Sequence, residues 1–319
     1  MLKNHPLEDI YPIYIENLDL KPKTVYDYEN FLKRYVHYLK CYNIKYPKRK
    51  DIIRYKKVMT EERLSINTIR KQITIIKGFY KWLRFSYKEY GFDEQYQFDI
   101  SDSVRNENLN RTFRKDPLTL EEAQLLIQTA KDNATSIVGL RNYCIVLLMI
   151  TTGLRIIEVS RARRKDIKKW RSYDVLYIQG KGRQRTDDFV KLPEAVKKLL
   201  DEYFFLRNDL NPFVFSSNHT ILHQNQLSPD AIRYHITKLL NDTGIKSKRI
   251  TIHSLRHTCA VINLETGGTI EQTRQLLRHQ RIETTMIYAH NLAKLHDESS
   301  QRISKNILMG VKEDDQEYK

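Results

Sequence analysis

Apolar residues recur at intervals of three and four along the first hundred positions. Between Lys21 and Lys40 they are Val25, Tyr28, Phe31, Leu32, Tyr35 and Leu39. Between Ser65 and Leu83 they are Ile66, Ile69, Ile73, Ile76, Tyr80 and Leu83. This spacing places one apolar stripe along a helix, facing a core. The pattern therefore predicts a helical N-terminal module.

The other face of the second helical segment is basic, with Arg70, Lys71, Lys77 and Lys81. The stretch KYPKRKDIIRYKK between the two segments also alternates basic residues, including Lys48 and Arg49, with tyrosines. Such surfaces suit contact with DNA phosphates, although a solvated basic surface has the same pattern. We predict a DNA-facing module over residues 1–101 that uses these six side chains.

Beyond residue 101 the pattern changes twice. Residues 102–116 are polar and lack an apolar period, which is typical of a linker. Thr119 and Glu122 then form a T-x-x-E capping box ahead of an apolar stripe. A buried helix, a break at Gly153 and a second helix follow, and Ser228 and Gly244 flank another helix.

Between residues 174 and 193 the period shortens to that of strands. Two β-prone stretches flank a Gly-Lys-Gly turn, so Lys181 is predicted at or near a hairpin tip. Helical patterns resume afterwards. The predicted fold is mainly α with a small β-hairpin or sheet, and its second domain, 117–319, ends in an interaction tail.

Charge gives the first indication of a partner. The 319 residues include 55 Lys and Arg against 39 Asp and Glu, a formal net charge of +16. Polyanions, of which nucleic acid is the commonest in a cell, are the expected partners. The longest strongly apolar run, Cys144 to Ile150, is too short to span a bilayer. With no apolar signal core and an odd number of cysteines, the expected location is the cytoplasm, with the nucleoid.

The sequence TIHSLRHTCA, residues 251–260, concentrates further positive charge. In a helix, His253, Arg256 and His257 share one face, because positions three and four apart are neighbours. Like charges so placed repel one another, which indicates a face that receives an anion.

Other polar residues stand at the ends of predicted elements. They are Arg155, Lys181, His279 and Tyr288. Each alone has an ordinary structural explanation: Arg155 can pair with Glu158, Lys181 can be a turn residue, His279 can cap a helix and Tyr288 can be a core aromatic. Only the ordered set indicates a reaction.

That set resembles the tyrosine recombinases of the Xer and phage-integrase type. The matching pieces, in the family's order, are TGLRIIEV, GKGRQR, HSLRHTCA, LLRHQ and TTMIYAH. The resemblance covers essentially the whole chain, since the N-terminal helices are similar to the family's core-binding domain. It implies a two-domain, C-shaped clamp on DNA.

The resemblance also implies roles. Tyr288 attacks a DNA phosphate to give a 3′-phosphotyrosyl link and a free 5′-hydroxyl, and His279 holds a phosphate oxygen. The chemistry independently favours these residue types, because Arg155 and Arg256 can each offer a planar fork to the phosphate. A tyrosine hydroxyl needs a proton acceptor, a role implied for His253, and the departing oxygen needs an acid, which suits Lys181.

The phosphotyrosyl link keeps the energy of the phosphodiester, so no cofactor and no metal are expected. The expected partners are double-stranded DNA with inverted half-sites and further copies of the chain, forming a synaptic tetramer. Chromosome-dimer resolution and the integration or excision of a mobile element remain open as biological roles.

Four positions depart from the family pattern or lack a role in it. Arg278 stands where glycine is frequent, and either alters the turn or adds a phosphate contact. Asp187 and Asp188 are unusual beside DNA, and we expect them on the outer side of the hairpin or against a neighbouring subunit. His257 is expected to make a supporting hydrogen bond, and Glu158 is a second supporting residue.

Three other interpretations stand beside the recombinase. His253 and His257 have the spacing of a helical zinc motif, but Ser254 stands where that motif needs glutamate, and Arg256 adds a cation. A catalytically silent DNA-binding protein and a type IB topoisomerase remain the alternative functions.

The C-terminal segment is predicted to be helical, with Ile303, Ile307 and Leu308 on one side. The family resemblance implies that this tail docks on a neighbouring subunit. Packing against its own domain is the alternative.

Overall fold

The structure is a computed structural model that describes residues 6–106, 115–180, 186–217, 226–245, 247 and 249–309. The chain divides into two compact units, Met1–Arg111 and Thr112–Lys319. The division falls inside the predicted linker. The exact domain boundaries at 101 and 117 stay predictions.

The first unit is helical. Its elements are α1 (Leu7–Glu16), α2 (Pro22–Cys41), α3 (Arg49–Glu61), α4 (Ile66–Ser86) and a 3-10 turn (Glu94–Gln97). The helices α2 and α4 confirm the two periodic segments. Their buried tyrosines meet in the core, where the hydroxyls of Tyr35 and Tyr80 lie 3.0 Å apart and Tyr55 donates to Gln72 at 2.7 Å.

The basic stretch between α2 and α4 forms α3, which the apolar pattern did not identify as a helix. Its turns bury Ile52, Tyr55 and Met59, so the tyrosine that interrupts the basic run belongs to the core. Lys48 and Arg49 lie exposed at the start of this helix.

The beginning of the predicted linker packs on the first unit. Val104 is buried in the core, and the Lys77 ammonium donates to the carbonyl oxygens of Asp102 and Val104 at 3.1 and 3.2 Å. One of the basic residues predicted to bind DNA thus also anchors residues 102–104.

The second unit combines helices with a small sheet. Its elements are α5 (Leu120–Asp132), α6 (Ile137–Thr152), α7 (Ile156–Arg161), a 3-10 turn (Arg164–Asp166), β1 (Ile167–Trp170), β2 (Tyr173–Ile178), β3 (Asp188–Lys191), α8 (Glu194–Arg207), α9 (Pro229–Asp242), α10 (Ile252–Glu265), α11 (Ile270–Leu277), α12 (Glu283–Leu295) and α13 (Ser299–Leu308).

Side-chain caps begin these helices where the sequence predicted them. Thr119 and Glu122 form the reciprocal capping box of α5, and the Ser228 hydroxyl accepts from the Ala231 N–H at the start of α9. Helix α6 buries ten of its 16 residues and belongs to the core of this unit. It ends at Gly153, the predicted break.

The sheet is antiparallel in the order β1-β2-β3. Leu176 of β2 stands opposite Ile167 on one side and Val190 on the other. The predicted hairpin is thus β2–β3, and β1 is an additional strand. Lys181 lies outside the described residues, in the connection between β2 and β3.

Across the described parts of the chain, no helix combines the length and apolar character needed to cross a membrane.

Candidate active site

Gly153 brings two of the predicted catalytic arginines together. It adopts φ = 61°, in the left-handed region, and a Cβ there would lie 2.5 Å from the Leu277 Cδ2 atom. Its carbonyl oxygen accepts from the Arg256 guanidinium, which also donates to the carbonyl oxygen of Leu277. Two residues after Gly153, Arg155 caps α7. Glycine at 153 therefore joins α6, α7, α10 and α11 at one point.

Arg256 is buried against these carbonyls. Burial, with the positive charges of Arg155 and Arg278, lowers its pKa, but a guanidinium remains charged at neutral pH. Backbone carbonyl oxygens therefore hold its guanidinium group in place. Such a preorganised cation needs no rearrangement when an anion arrives.

Arg155 is held by Glu158 at the start of α7. Its Nη1 atom donates to Glu158 Oε1 at 3.0 Å, and its backbone N–H donates to Glu158 Oε2 at 2.8 Å. Glu158 is 1% exposed, whereas the Arg155 side chain is 32% exposed. Burial alone would raise the pKa of Glu158, but Arg278, Arg155 and the backbone N–H outweigh it and lower the pKa.

Arg278 has a position that the sequence left open. It ends α11 in the left-handed conformation, with φ = 55°, which explains why glycine suits this turn. Its Nη2 atom donates to Glu158 Oε2 at 2.9 Å, and its Nη1 atom donates to the carbonyl oxygen of Leu276 at 2.9 Å. The arginine thus adopts the left-handed conformation of this turn, and its side chain is buried, with 7% exposure.

These side chains surround a pocket of about 410 Å³. Its lining consists of Arg155, Glu158, Gly180, Asp188, Arg278, His279, Gln280, Arg281 and Thr284. The expectation that Asp188 lies on the outer side of the hairpin is wrong, because this residue lines the pocket; its alternative, a contact with a neighbouring subunit, stays a prediction. The strand β3 turns this carboxylate toward Arg278, whose Nε atom lies 4.0 Å from Asp188 Oδ2.

His279 lies at the inner wall of that pocket. Its Nδ1 atom is 2.9 Å from the Thr285 hydroxyl, which is fully buried. Burial, followed by the charges of Arg256, Arg155 and Arg278, lowers the His279 pKa to about 4. The imidazole is therefore neutral at pH 7.

Tyr288 packs beside His279 and pairs with His257. The rings of His279 and Tyr288 are nearly parallel, with centroids 6.5 Å apart. The Tyr288 hydroxyl lies 2.6 Å from His257 Nδ1. Burial raises the Tyr288 pKa to about 12, although Arg256 and Arg155 oppose this change. The hydroxyl keeps its proton at neutral pH and can donate it to the imidazole.

His257 has a more direct position than the supporting hydrogen bond expected for it. Burial and the charges of His253 and Arg256 lower its pKa to about 4, so the imidazole is neutral at pH 7. His253, one turn earlier on α10, is exposed. Within the described ranges, no group of three His, Cys, Asp or Glu side chains is arranged to hold a metal ion.

The structure thus brings together Arg155, Arg256, His279 and Tyr288 with the supporting residues Glu158 and His257. Lys181 lies outside the described residues, and Gly180 beside it lines the pocket. Sequence reasoning missed Thr285 as the partner of His279 and left Arg278 without a partner. The sequence did contain a signal for Arg278: glycine is frequent at this position in the family, which indicates a left-handed turn.

The six basic residues of the first unit differ in their surroundings. Arg70, Lys77 and Lys81 share one face of α4, given their spacing of seven and four. Lys71 lies about 100° away around the helix, and its ammonium pairs with Asp27 at 2.7 Å. Lys48 and Arg49 are exposed at the start of α3.

A helical unit, followed by an α+β unit that places two arginines and a histidine beside a tyrosine, defines a class of DNA strand-transfer enzymes. Residues 117–294 match the phage integrase family, and residues 13–85 match the N-terminal SAM-like domain of phage integrases. The chain therefore belongs to the phage integrase family and is a site-specific tyrosine recombinase.

Relatives of known class support this assignment. The chain is 26% identical over 311 residues to the tyrosine recombinase XerA of Pyrococcus furiosus, which covers 97% of this chain and 98% of the relative. It is 30% identical over 243 residues to the tyrosine recombinase XerC of Chlamydia trachomatis, with 74% and 71% covered.

Solved structures show the same fold. The XerH recombinase bound to its difH substrate superposes with a TM-score of 0.71 at 19% identity, covering 85% of this chain and 78% of that one. A lambda integrase tetramer bound to a Holliday junction gives 0.65 at 16% identity, covering 87% and 79%.

Proposed function

We propose that this recombinase cleaves and rejoins DNA through a 3′-phosphotyrosyl link to Tyr288. The observation that supports this most directly is the position of Tyr288: its hydroxyl has a neutral acceptor at 2.6 Å, and its ring lies against His279 beside the two buried or half-buried arginines. A phosphodiester bound in the pocket beside His279 would contact Arg155, which lines the same pocket. Its developing charge would be stabilised by cations that are already oriented.

The contacts support the following chemical roles. Arg155 and Arg256 bind the non-bridging oxygens of the scissile phosphate, and neutral His279 holds one of them with its Nε2 atom, since its Nδ1 atom is engaged by Thr285. The Tyr288 oxygen attacks phosphorus and releases its proton. The 5′ oxygen leaves with a proton from Lys181, the acid that the family resemblance supplies.

His257 and His253 divide the proton-acceptor role on α10. His257 touches the reacting hydroxyl, so we assign the first acceptance of the proton to its Nδ1 atom. His253, which is exposed on the same helix face, passes the proton onward or contacts the phosphate. Neither the link nor its reversal needs a cofactor or a metal, because the phosphotyrosyl bond stores the energy of the bond that it replaces.

Trapping of the covalent intermediate tests this function. A nicked duplex that loses its 5′ end after cleavage should accumulate a protein–DNA adduct with the wild type, in excess EDTA, and none with Tyr288→Phe. Tyr143→Phe, a change on a half-buried tyrosine of α6, serves as the control. The absence of an adduct on every tested site would favour a catalytically silent DNA-binding protein.

The same assay separates the topoisomerase alternative. A type IB topoisomerase relaxes supercoiled plasmid without sequence preference and joins no new partner. We expect recombinant products only on plasmids that carry inverted half-sites about 11 base pairs long, near one helical turn. The DNA beside the gene is the first place to look for them. Such sites would also distinguish a Xer-like role from that of a mobile-element recombinase.

Assembly completes the proposed function. We propose that four copies act on two DNA duplexes at the nucleoid, in the cytoplasm, and that both units of each copy bind the same half-site. The exposed face of α13, with Ile303 and Ile307, supports an exchange of tails between subunits. Leu292, Leu295 and Tyr288 line a pocket of about 830 Å³. This pocket is apolar, like the exposed face of α13. Docking there would couple a neighbour to the nucleophile.

A further inference from the structure

Arg278 keeps a backbone conformation that glycine adopts more easily. A side chain in the left-handed region costs about 1 kcal/mol, and Arg278 has φ = 55°. Its side chain is nonetheless only 7% exposed. A strained and buried arginine at the wall of the phosphate pocket therefore needs an explanation beyond the turn itself.

The contacts of Arg278 divide into two kinds. Its Nη1 atom donates to backbone carbonyl oxygens, at 2.9 Å from Leu276 and 3.5 Å from Thr152. Its Nη2 atom donates to Glu158 Oε2 at 2.9 Å, and its buried Nε atom has no hydrogen-bond acceptor among the described residues. The carbonyl oxygens hold the guanidinium in place, and Glu158 forms an ion pair with it.

Glu158 is the carboxylate that also holds Arg155. It accepts from the backbone N–H and the guanidinium of Arg155 while it accepts from Arg278. A pair of Arg155 and Glu158 alone would be neutral. With Arg278 the three groups carry a net charge of +1, and in a poorly solvated site that charge acts over several ångströms. Asp188 is a second carboxylate near Arg278, but its Oδ2 atom lies 4.0 Å from Nε and its side chain is 38% exposed, so water screens its charge more than that of buried Glu158. The effect of Arg278 on the pKa values of Arg256 and His279 shows that it reaches the other site residues.

We propose that Arg278 is a positioning residue that compensates the charge of Glu158, so that the positive charge of Arg155 remains available to the DNA phosphate in the pocket. This inference rests on the proposed function. Arg278 acts through Glu158, and Arg155 makes the contact with the phosphate.

Arg278→Gly is the direct test, because glycine suits the backbone and removes only the side chain. On a suicide duplex that contains the mapped cleavage position, we expect its single-turnover cleavage rate to fall about tenfold or more, as is usual when a charge-assisted hydrogen bond is removed. Arg278→Lys keeps the charge and should retain most of the rate. Arg171→Gly is the matched control, since Arg171 is exposed with the same φ of 55° and its removal changes the net charge equally.

Two readouts separate charge compensation from a structural role. A methylphosphonate at the scissile position removes the negative charge, so wild type and Arg278→Gly should cleave it at the same rate. In a Glu158→Gln background, Arg278→Gly should lower the cleavage rate by a smaller factor than it does in the wild type, because the charge that Arg278 compensates is absent.

Several results would overturn the inference. They are an unchanged rate in Arg278→Gly, an equal loss on both substrates with a lowered melting temperature, and an Arg278→Lys variant as slow as Arg278→Gly. The proposed function fails in a different way, when the wild type itself forms no Tyr288-dependent adduct.

Discussion

The Nδ1 atom of His257 lies 2.6 Å from the hydroxyl oxygen of Tyr288, and the two residues belong to different helices, α10 and α12. Both groups are neutral at pH 7, because burial lowers the His257 pKa to about 4 and raises the Tyr288 pKa to about 12. The contact therefore joins a protonated hydroxyl to a neutral imidazole, and in the tautomer that carries its proton on Nε2 the Nδ1 atom accepts from the hydroxyl. This is the arrangement from which a proton can leave as a bond to phosphorus forms.

His257→Phe should slow the formation of the covalent adduct about 100-fold, the lower range for loss of a general base. A linkage with sulfur at the 5′ position sharpens the test, because a thiolate leaves without a proton. On that substrate, Lys181→Ala should form the adduct at a restored rate, whereas His257→Phe should remain slow. His290→Phe, on the exposed face of α12, is the control. Equal rates for His257→Phe and wild type on the ordinary duplex would remove His257 from the reaction.

The two buried histidines predict an acid-sensitive catalytic unit. The pKa values of His257 and His279 are lowered to about 4, whereas the unfolded chain binds these protons near pH 6.5. The stability that these neutral histidines contribute should thus be complete above pH 6.5, and the free energy of unfolding should fall as the pH drops toward 4. Each histidine contributes a slope of at most about 1.4 kcal/mol per pH unit.

Urea unfolding between pH 5 and pH 7.5 measures this slope. His257→Gln and His279→Gln should each flatten it, and His296→Gln, at an exposed position after α12, should leave it unchanged. A stability that does not vary over this range would mean that both imidazoles charge freely in the folded state.

Gly153→Ala should damage both folding and the site. The added Cβ meets Leu277 Cδ2 at 2.5 Å and requires a positive φ, so we expect a loss of about 2–4 kcal/mol in the free energy of unfolding. Cleavage should fall further than stability explains, because the carbonyl of Gly153 also holds Arg256. Gly244→Ala is the matched control, with φ = 73° and open space around the new Cβ. Similar losses from both variants would contradict the clash.

The sequence predicted the elements that local rules determine. The stripes of α2 and α4, the caps at Thr119 and Ser228 and the break at Gly153 depend on residues within a few positions of one another. Helix α3 was missed because its many lysines and arginines hide the three apolar residues that it buries. Strand β1 was missed because it is short and mostly exposed.

Contacts between distant segments were beyond local rules. Spacing placed His253, Arg256 and His257 on one helix face, but it could not show that Arg256 turns back to Gly153 while His257 meets Tyr288 on another helix. The inward position of Asp188 depends likewise on Arg278, 90 residues later in the chain. The motifs indicated the enzyme class, and the tertiary contacts show which of their residues lie together.

Removal of DNA-binding charge from the first unit should be visible in the salt dependence of affinity. For each phosphate that the protein no longer neutralises, the slope of log K against log salt concentration should decrease by about 0.9. We expect this for Arg70→Ala and Lys81→Ala. Lys33→Ala, whose ammonium pairs with Glu29 at 2.6 Å on α2, is the control. Lys71→Ala should have a smaller effect than Lys81→Ala, because Asp27 already pairs with its charge. Equal slopes for all four variants would exclude the α4 face from the DNA interface.

The last prediction concerns α13, none of whose residues is buried. Ile303 and Ile307 project from one face of this helix, 59% and 62% exposed. Ile303→Glu with Ile307→Glu should therefore leave thermal unfolding unchanged, because the folded unit loses no packing. If the tail docks on a neighbouring subunit as proposed, assembly on DNA should weaken, because charge replaces the apolar area that the neighbour would cover.

Gel-shift and sedimentation experiments on a duplex with two half-sites would measure this defect as single-copy complexes in place of multimers. Gln301→Glu with Lys305→Gln changes the net charge by the same amount on the opposite face and should assemble normally. If Ile303→Glu with Ile307→Glu lowers the melting temperature of the isolated protein while assembly persists, the tail packs on its own unit. Unchanged assembly and unchanged melting would show that α13 takes no part in either.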